Sequence, residues 1–209
     1  MRLTKFEHAC FTVEKDGQVL VVDPGDFTTD FVTPENVVAV VITHEHGDHL
    51  DVSKLQAIVD KNPNAVIVAH ESITSQLTDF DTQAVATGEH VAVGNFELDF
   101  YGGEHAVIHP SIPNIANLGV MIDNTVFYPG DSFVLPETPV KILALPIGAP
   151  WLKISETIDY LLAVRPELAF PTHDAVLSSI GKSVPDNRIP SFAEKIGAKY
   201  QRLDGPIDI

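Results

Sequence analysis

The chain's densest chemistry lies at residues 43–51, Thr-His-Glu-His-Gly-Asp-His-Leu-Asp. Three histidines and an aspartate form the pattern His44-x-His46-x-Asp48-His49, directly after a valine-rich apolar run. Residues i and i+2 of an extended segment project to the same side, so His44 and His46 can share one metal ion. If the chain then bends, Asp48 and His49 aim at a neighbouring position. Imidazole and carboxylate are donors that zinc, manganese and iron accept. The competing reading, a polar loop of solvated histidines, needs three histidines and an aspartate to gather at a strand end by chance.

One cluster does not complete a two-metal site, and later strand ends offer further donors. His105 follows an apolar segment and Gly102-Gly103. Asp131 sits in Tyr128-Pro-Gly-Asp-Ser, and His173 in Phe170-Pro-Thr-His-Asp. Each alone reads as a surface or capping residue. As a set they repeat one pattern, in which a strand is followed by small or turn residues and then a ligand-type side chain. That pattern assembles a metal site at one edge of a sheet core.

The elements that must position these residues are mostly strands. The sequence predicts strands over 3–6, 10–14, 18–23, 36–43, 65–69, 83–86, 90–93, 96–101, 118–122, 125–128, 142–145 and 168–171. Lys15-Asp16-Gly17 and Asp123-Asn124 read as hairpin turns. Helices are predicted over 52–60, with Ser53 as the N-cap, over 72–77, and over 155–164, stopped before Pro166. Helical turns are expected near 175–180 and 191–196. Strand runs with interspersed helices suggest a layered sandwich with helices outside.

Composition narrows the function classes. The chain has 209 residues, which suits one domain over 1–209, and 44% of them are hydrophobic, ordinary for a buried core. Its 13 Lys+Arg against 29 Asp+Glu give a formal net charge of -16, which argues against nucleic acid as a partner. A single cysteine, Cys10, excludes an internal disulfide, and Cys10 reads as packed in a strand. No membrane span is expected, no signal peptide is recognised, and a cytoplasmic location is the default. Nothing in the sequence selects an oligomeric state.

All the metal motifs of the metallo-β-lactamase-fold hydrolases have a match in order from Asp23 to His173, and the chain resembles that superfamily. The resemblance implies an α/β (α+β) fold, a four-layer αββα sandwich with the site at one edge of the two sheets. It implies that His44, His46 and His105 bind a first metal, that Asp48, His49 and His173 bind a second, and that Asp131 bridges them. Asp23, in Val-Asp-Pro-Gly, matches a residue that orients the cluster from outside it. The opening Glu7-His8-Ala9-Cys10-Phe11 resembles the Gly-His-Ser/Ala-x-Phe start of the short L-ascorbate-6-phosphate lactonase-like subgroup, with Glu7 in place of glycine. That subgroup includes uncharacterised metal-dependent hydrolases.

The implied activity is hydrolysis of an ester, lactone, amide or phosphoester in a small soluble substrate. Two divalent ions, zinc first with manganese or iron as alternatives, would share a bridging hydroxide, and Asp48 would hold or accept the nucleophile's proton. Two other functions are possible on this fold. A sulfur dioxygenase-like redox enzyme keeps the His-x-His-x-Asp-His pattern around a single iron, and a non-enzymatic metal-binding protein would be marked by lost ligands, of which there are none. Four further residues are candidates to touch substrate: His8, His109, Trp151 and Lys153. Each also has a plainer reading, as a solvated loop residue or as packing on the helix at Ser155.

Overall fold

Val37–Ile42, Val-Val-Ala-Val-Val-Ile, is apolar at every position because both faces of its strand are covered. Side chains alternate across a strand, so Ala39 and Val41 enter one buried cluster while Val40 and Ile42 enter another. The computed structural model describes residues 1–209. In chain order its first half comprises β1 (Arg2–Lys5), β2 (Phe11–Lys15), β3 (Gln18–Val22), β4 (Val37–Ile42), α1 (Val52–Lys61), β5 (Val66–His70), α2 (Glu71–Thr74) and β6 (Thr82–Val85). There follow β7 (His90–Val93), β8 (Phe96–Gly102), β9 (Leu118–Ile122), β10 (Val126–Tyr128), β11 (Ile142–Pro146), α3 (Ile154–Val164), β12 (Leu168–Thr172), α4 (Ser179–Lys195), β13 (Lys199–Tyr200) and β14 (Ile207–Asp208).

The strands form two seven-stranded sheets, ordered β14-β1-β2-β3-β4-β5-β6 and β13-β12-β11-β10-β9-β8-β7. In each, an antiparallel meander passes into three parallel steps, β3-β4-β5-β6 in the first and β10-β11-β12-β13 in the second. The late strand β14 pairs antiparallel with β1 and gives the first sheet its fourth meander strand. The two halves therefore repeat one topology, which the sequence does not reveal as a repeat.

A cluster of 22 buried residues lies between the sheets, including Phe11, Leu20, Val41, Phe96, Phe100, Tyr128 and Phe170. A second packs Leu55 and Ile58 of α1 on the first sheet, and a third packs Tyr160, Leu161, Ile189 and Ala193 of α3 and α4 on the second. The result is the four-layer αββα sandwich.

Two local expectations need correction. Asp51, not Ser53, caps α1, accepting from the backbone amides of Ser53 at 2.8 Å and Lys54 at 3.4 Å. The two helical turns expected near the C-terminus are instead one 17-residue helix, α4, with Pro185 and Pro190 inside it. Interior prolines remove helix hydrogen bonds. Here Pro185, Ile189 and Ala193 recur at four-residue spacing as the buried face, so packing on the second sheet outweighs that loss.

Candidate metal centre

Asp23, His44, His105, Asp131 and His173 each follow a strand, respectively β3, β4, β8, β10 and β12. Strands β3 and β4 run parallel. Strands β8 and β10 both run antiparallel to β9 and so point the same way, and β12 is parallel to them through β11. Strand ends from both sheets thus deliver these side chains to one edge. Their backbones are unusual: Asp23 and His173 have φ of 42° and 57°, and His8 has 54°. Non-glycine residues adopt this left-handed region at an energetic penalty, and such strain gathers at functional sites.

Three groups of donor atoms result, one of them Asp23 with His44 and His49, and the other two carry the candidate metal positions. His44, His46 and His105 form one, and His8, Asp48, His49 and His173 the other, with the atoms of each group within 4.8 Å of one another. Asp131 faces both. Its Oδ2 lies 3.4 Å from His105 Nε2 and 2.9 Å from His173 Nε2, while its Oδ1 lies 3.3 Å from His49 Nε2. Asp48 Oδ2 is 3.4 Å from His173 Nε2. Donors on one tetrahedral zinc, bound at about 2.0–2.1 Å, sit about 3.3 Å apart. These spacings bracket that value, while His44 to Asp131 at 3.9 Å and His49 to Asp48 at 3.8 Å are somewhat longer.

The ring orientations carry the same message. His49 Nδ1 lies 2.7 Å from Asp23 Oδ2, and His173 Nδ1 lies 2.6 Å from the Gly148 carbonyl. His105 Nδ1 donates to the Ala106 carbonyl. Thr43 Oγ1 donates to Asp23 Oδ2 at 2.6 Å, which leaves its oxygen to accept from His44 Nδ1 at 3.1 Å. In each ring the proton is therefore placed on Nδ1 and the Nε2 lone pair turns inward. The Nε2 atoms of His44, His49, His105 and His173 are buried without a hydrogen-bond partner, as is Asp131 Oδ1. Buried polar atoms are rarely left so, and divalent cations among them would satisfy all five. The residues present fit divalent metal ions.

His8 is the opposite tautomer. Its Nδ1 accepts from the Ala175 amide at 3.3 Å, so Nε2 carries the proton and donates to Asp48 Oδ2 at 3.0 Å. Its ring is completely buried. His8 therefore stands behind Asp48 rather than at the surface of the cavity.

The electrostatics follow from three carboxylates among histidine rings whose inward nitrogens can hold a proton or a metal. Burial works against ionisation of Asp131, but His49 and His173 hold its carboxyl well below the usual range. Burial likewise opposes ionisation of Asp48, and hydrogen bonds from His173 and His8 overcome it. Burial and the neighbouring His49 push His44 well down. Without a bound cation His173 is held up at about 10, because Asp131 outweighs the effect of burial, so a proton on its Nε2 takes the place that a metal would fill. The acids thus attract positive charge, as protons or as metal.

Several supporting residues had no motif to announce them. Asn117, fully buried, accepts from the Asp131 amide at 2.9 Å and donates to the Pro129 carbonyl at 2.9 Å. The Thr43 amide donates to Asp23 Oδ1 at 2.8 Å. The Tyr128 hydroxyl lies 3.4 Å from His49 Nδ1. Gly25 lets the Asp23-Pro24-Gly25 turn press on the donor loop, since a Cβ there would overlap the backbone of Asp48 and His49. The only signal was adjacency, Thr43 before His44 and Gly25 after Asp23.

The remaining candidates divide between the centre and the surface. Trp151 Nε1 donates to Asp131 Oδ2 at 2.9 Å, so the ring braces a donor. Lys153 caps α3 with its side chain 80% exposed and its ammonium 3.7 Å from Glu156, away from the cluster's hydrogen bonds. His109 is exposed and turns to Ser111 Oγ at 2.7 Å. Cys10 is free and fully buried in the cluster beneath α1. No helix is long and apolar enough to cross a membrane.

Known proteins resemble this chain in sequence and fold. "Protein Rv0786c" of Mycobacterium tuberculosis is 36% identical over 194 residues, 90% of this chain and 91% of that one. A "UPF0173 metal-dependent hydrolase" of Methanocaldococcus jannaschii is 25% identical over 99% of this chain and 100% of its own. The structure of Igni18, a metallo hydrolase from Ignicoccus hospitalis, superposes with a TM-score of 0.75 at 22% identity, covering 100% of this chain and 98% of that one. This last likeness is one of fold. The sequence profile of the β-lactamase superfamily domain matches residues 2–173, a span that runs through every strand end described above. The chain belongs to that superfamily, as one of its metal-dependent hydrolases.

Proposed function

We propose that the centre holds two divalent cations and that the protein uses them to hydrolyse an ester, lactone, amide or phosphoester bond in a small soluble substrate. The observation that carries this reading is the set of four inward, unpartnered Nε2 atoms arranged around Asp131. His44, His46 and His105 would hold one ion and Asp48, His49 and His173 the other, with Asp131 between them. Zinc suits nitrogen and oxygen donors without thiolate, and manganese or iron also fits. Bound there, such ions supply an acidified water and a polarised scissile bond.

The chain's own residues do the rest. Asp48, with its side chain 19% exposed, is the donor-group carboxylate most open to solvent, and it stands where it can hold the nucleophile's proton. His8 donates to Asp48 and fixes it, acting as a positioning residue. Asp23, Thr43, Asn117 and Trp151 keep the rings and Asp131 in register.

The test is a panel of neutral and charged ester, lactone and phosphodiester substrates, run with the metal-loaded protein. Asp48→Ala should lower kcat/KM by about a hundredfold or more, as loss of a positioned general base does, His105→Ala should lower it through loss of a ligand, and both should reduce bound metal. Activity and metal content unchanged in both would contradict the assignment. One iron per chain with no hydrolysis would instead support the mononuclear redox reading.

A further inference from the structure

We propose that the cleft between the loop after Asp23 and the loop after His173 receives an uncharged apolar group of the substrate, so that the enzyme selects neutral esters or lactones and rejects those with a distal carboxylate or phosphate. The inference rests on the hydrolase reading above and names its substrate class. The cleft has a volume of about 400 Å³ and is lined by Glu7, Asp26, Phe27, Thr29, Ala175 and Val176.

It adjoins the metal centre through His8. The Phe27 ring packs edge-on against His8 with centroids 5.2 Å apart, and His8 in turn bonds Asp48 and the Ala175 amide. Ala175 lies two residues beyond His173. On the other wall, the Asp26 amide donates to the Gly47 carbonyl at 2.8 Å, next to Asp48. A group seated here would thus sit beside the donor that faces solvent.

The lining sets the chemistry. Phe27 and Val176 are 43% and 50% exposed, apolar surface that a substrate would cover. The only charged side chains in the lining are two acids, Glu7 and Asp26. Glu7 accepts from the hydroxyl and the amide of Thr29, which holds its carboxyl below the usual range, so it is anionic at neutral pH. No Lys or Arg lines this cleft, nor the one on the other side of the centre, where Glu104 is the charged residue. Lys5, Lys182 and Arg202 line the neighbouring cleft, which shares Glu7 with this one, but Lys182 and Arg202 are paired there with Asp174, and Lys153 pairs with Glu156. A distal anion would meet two carboxylates and no counterion, which is a built-in rejection.

Two arms test this. In the kinetic arm, p-nitrophenyl hexanoate is compared with the p-nitrophenyl monoester of adipate, which adds a distal carboxylate. The neutral ester should be favoured about tenfold or more in kcat/KM, the scale of two like charges at short range in a partly solvated cleft. The preference should shrink severalfold in the Glu7→Gln/Asp26→Asn variant, and Val176→Asp should raise KM for hexanoate. In the binding arm, hexanamide, adipamate and 6-aminohexanamide are titrated while the Phe27 and Val176 NMR resonances are followed. Hexanamide should shift both and adipamate neither. Equal use of the two esters, or no shift with hexanamide, overturns the pocket, and tighter binding of the amine than of hexanamide overturns its preference for an uncharged group. If no ester is cleaved yet hexanamide shifts both resonances, the hydrolase reading fails and the pocket stands.

Discussion

Asp23 shows how one residue outside a metal's reach governs the ligands. Its two oxygens accept from the Thr43 amide, the Thr43 hydroxyl and His49 Nδ1, so it fixes the tautomers of His49 and, through Thr43, of His44. Asp23→Ala should weaken metal affinity about 10- to 100-fold, the usual effect of losing such a partner, as read by competition with a chelating dye. His8 makes a sharper prediction. His8→Gln keeps a donor near the position of Nε2 and should retain most activity, whereas His8→Ala should release Asp48 and lower kcat with little change in KM. Equal loss in both variants would show that His8 acts by packing alone. At this scale the donors were legible, because ligand chemistry restricts residue types and strand geometry restricts spacing. The tautomer of His8 and the bracing role of Trp151 were not, since each depends on a partner far away in sequence, Ala175 and Asp131.

The turns between elements carry as much of the site as the strands. Gly25 has no room for a side chain, because a Cβ would overlap the backbone of Asp48 and His49. Gly25→Ala should therefore displace the donor loop, costing about 1–3 kcal/mol by overpacking and lowering metal content, measured by denaturant unfolding and elemental analysis. Lys5 ends β1 and donates to the carbonyl of His8 at 2.8 Å. Burial lowers its pKa to about 8, against the opposing pull of Asp174. Between pH 8 and the ordinary lysine value of about 10.4 the unfolded chain binds more protons than the folded one, so stability rises with pH there. The gain should approach about 3 kcal/mol and should be absent in Lys5→Met; parallel pH profiles for the two proteins would contradict it. Most strands and three helices were readable from periodicity and turn chemistry. Helix α4 was not, because Pro185 and Pro190 signal a break that tertiary packing overrides. Strands β13 and β14 have two residues each, too few for any periodic pattern.

For the molecule as a whole, the formal charge of -16 has an internal part. Asp23, Asp48 and Asp131 place three carboxylates among the imidazoles at the junction of the sheets, and two divalent cations would offset them. Removing the metal should therefore destabilise the fold. With each site occupied at about a thousand times its Kd, linkage contributes about 4 kcal/mol per ion, so chelation should lower Tm by about 10 °C or more for a chain of this size. The duplicated meander-and-parallel topology explains why one edge can gather donors from both sheets. It was not legible beforehand, because the halves repeat strand order and not sequence. The most direct measurement is the number of zinc or manganese ions per chain after loading and desalting, by elemental analysis, followed in parallel through the fluorescence of Trp151, the single tryptophan bonded to Asp131. A two-cation centre predicts two ions per chain and a Trp151 signal that saturates at the second equivalent. One ion or none per chain, with no response from Trp151, would contradict it.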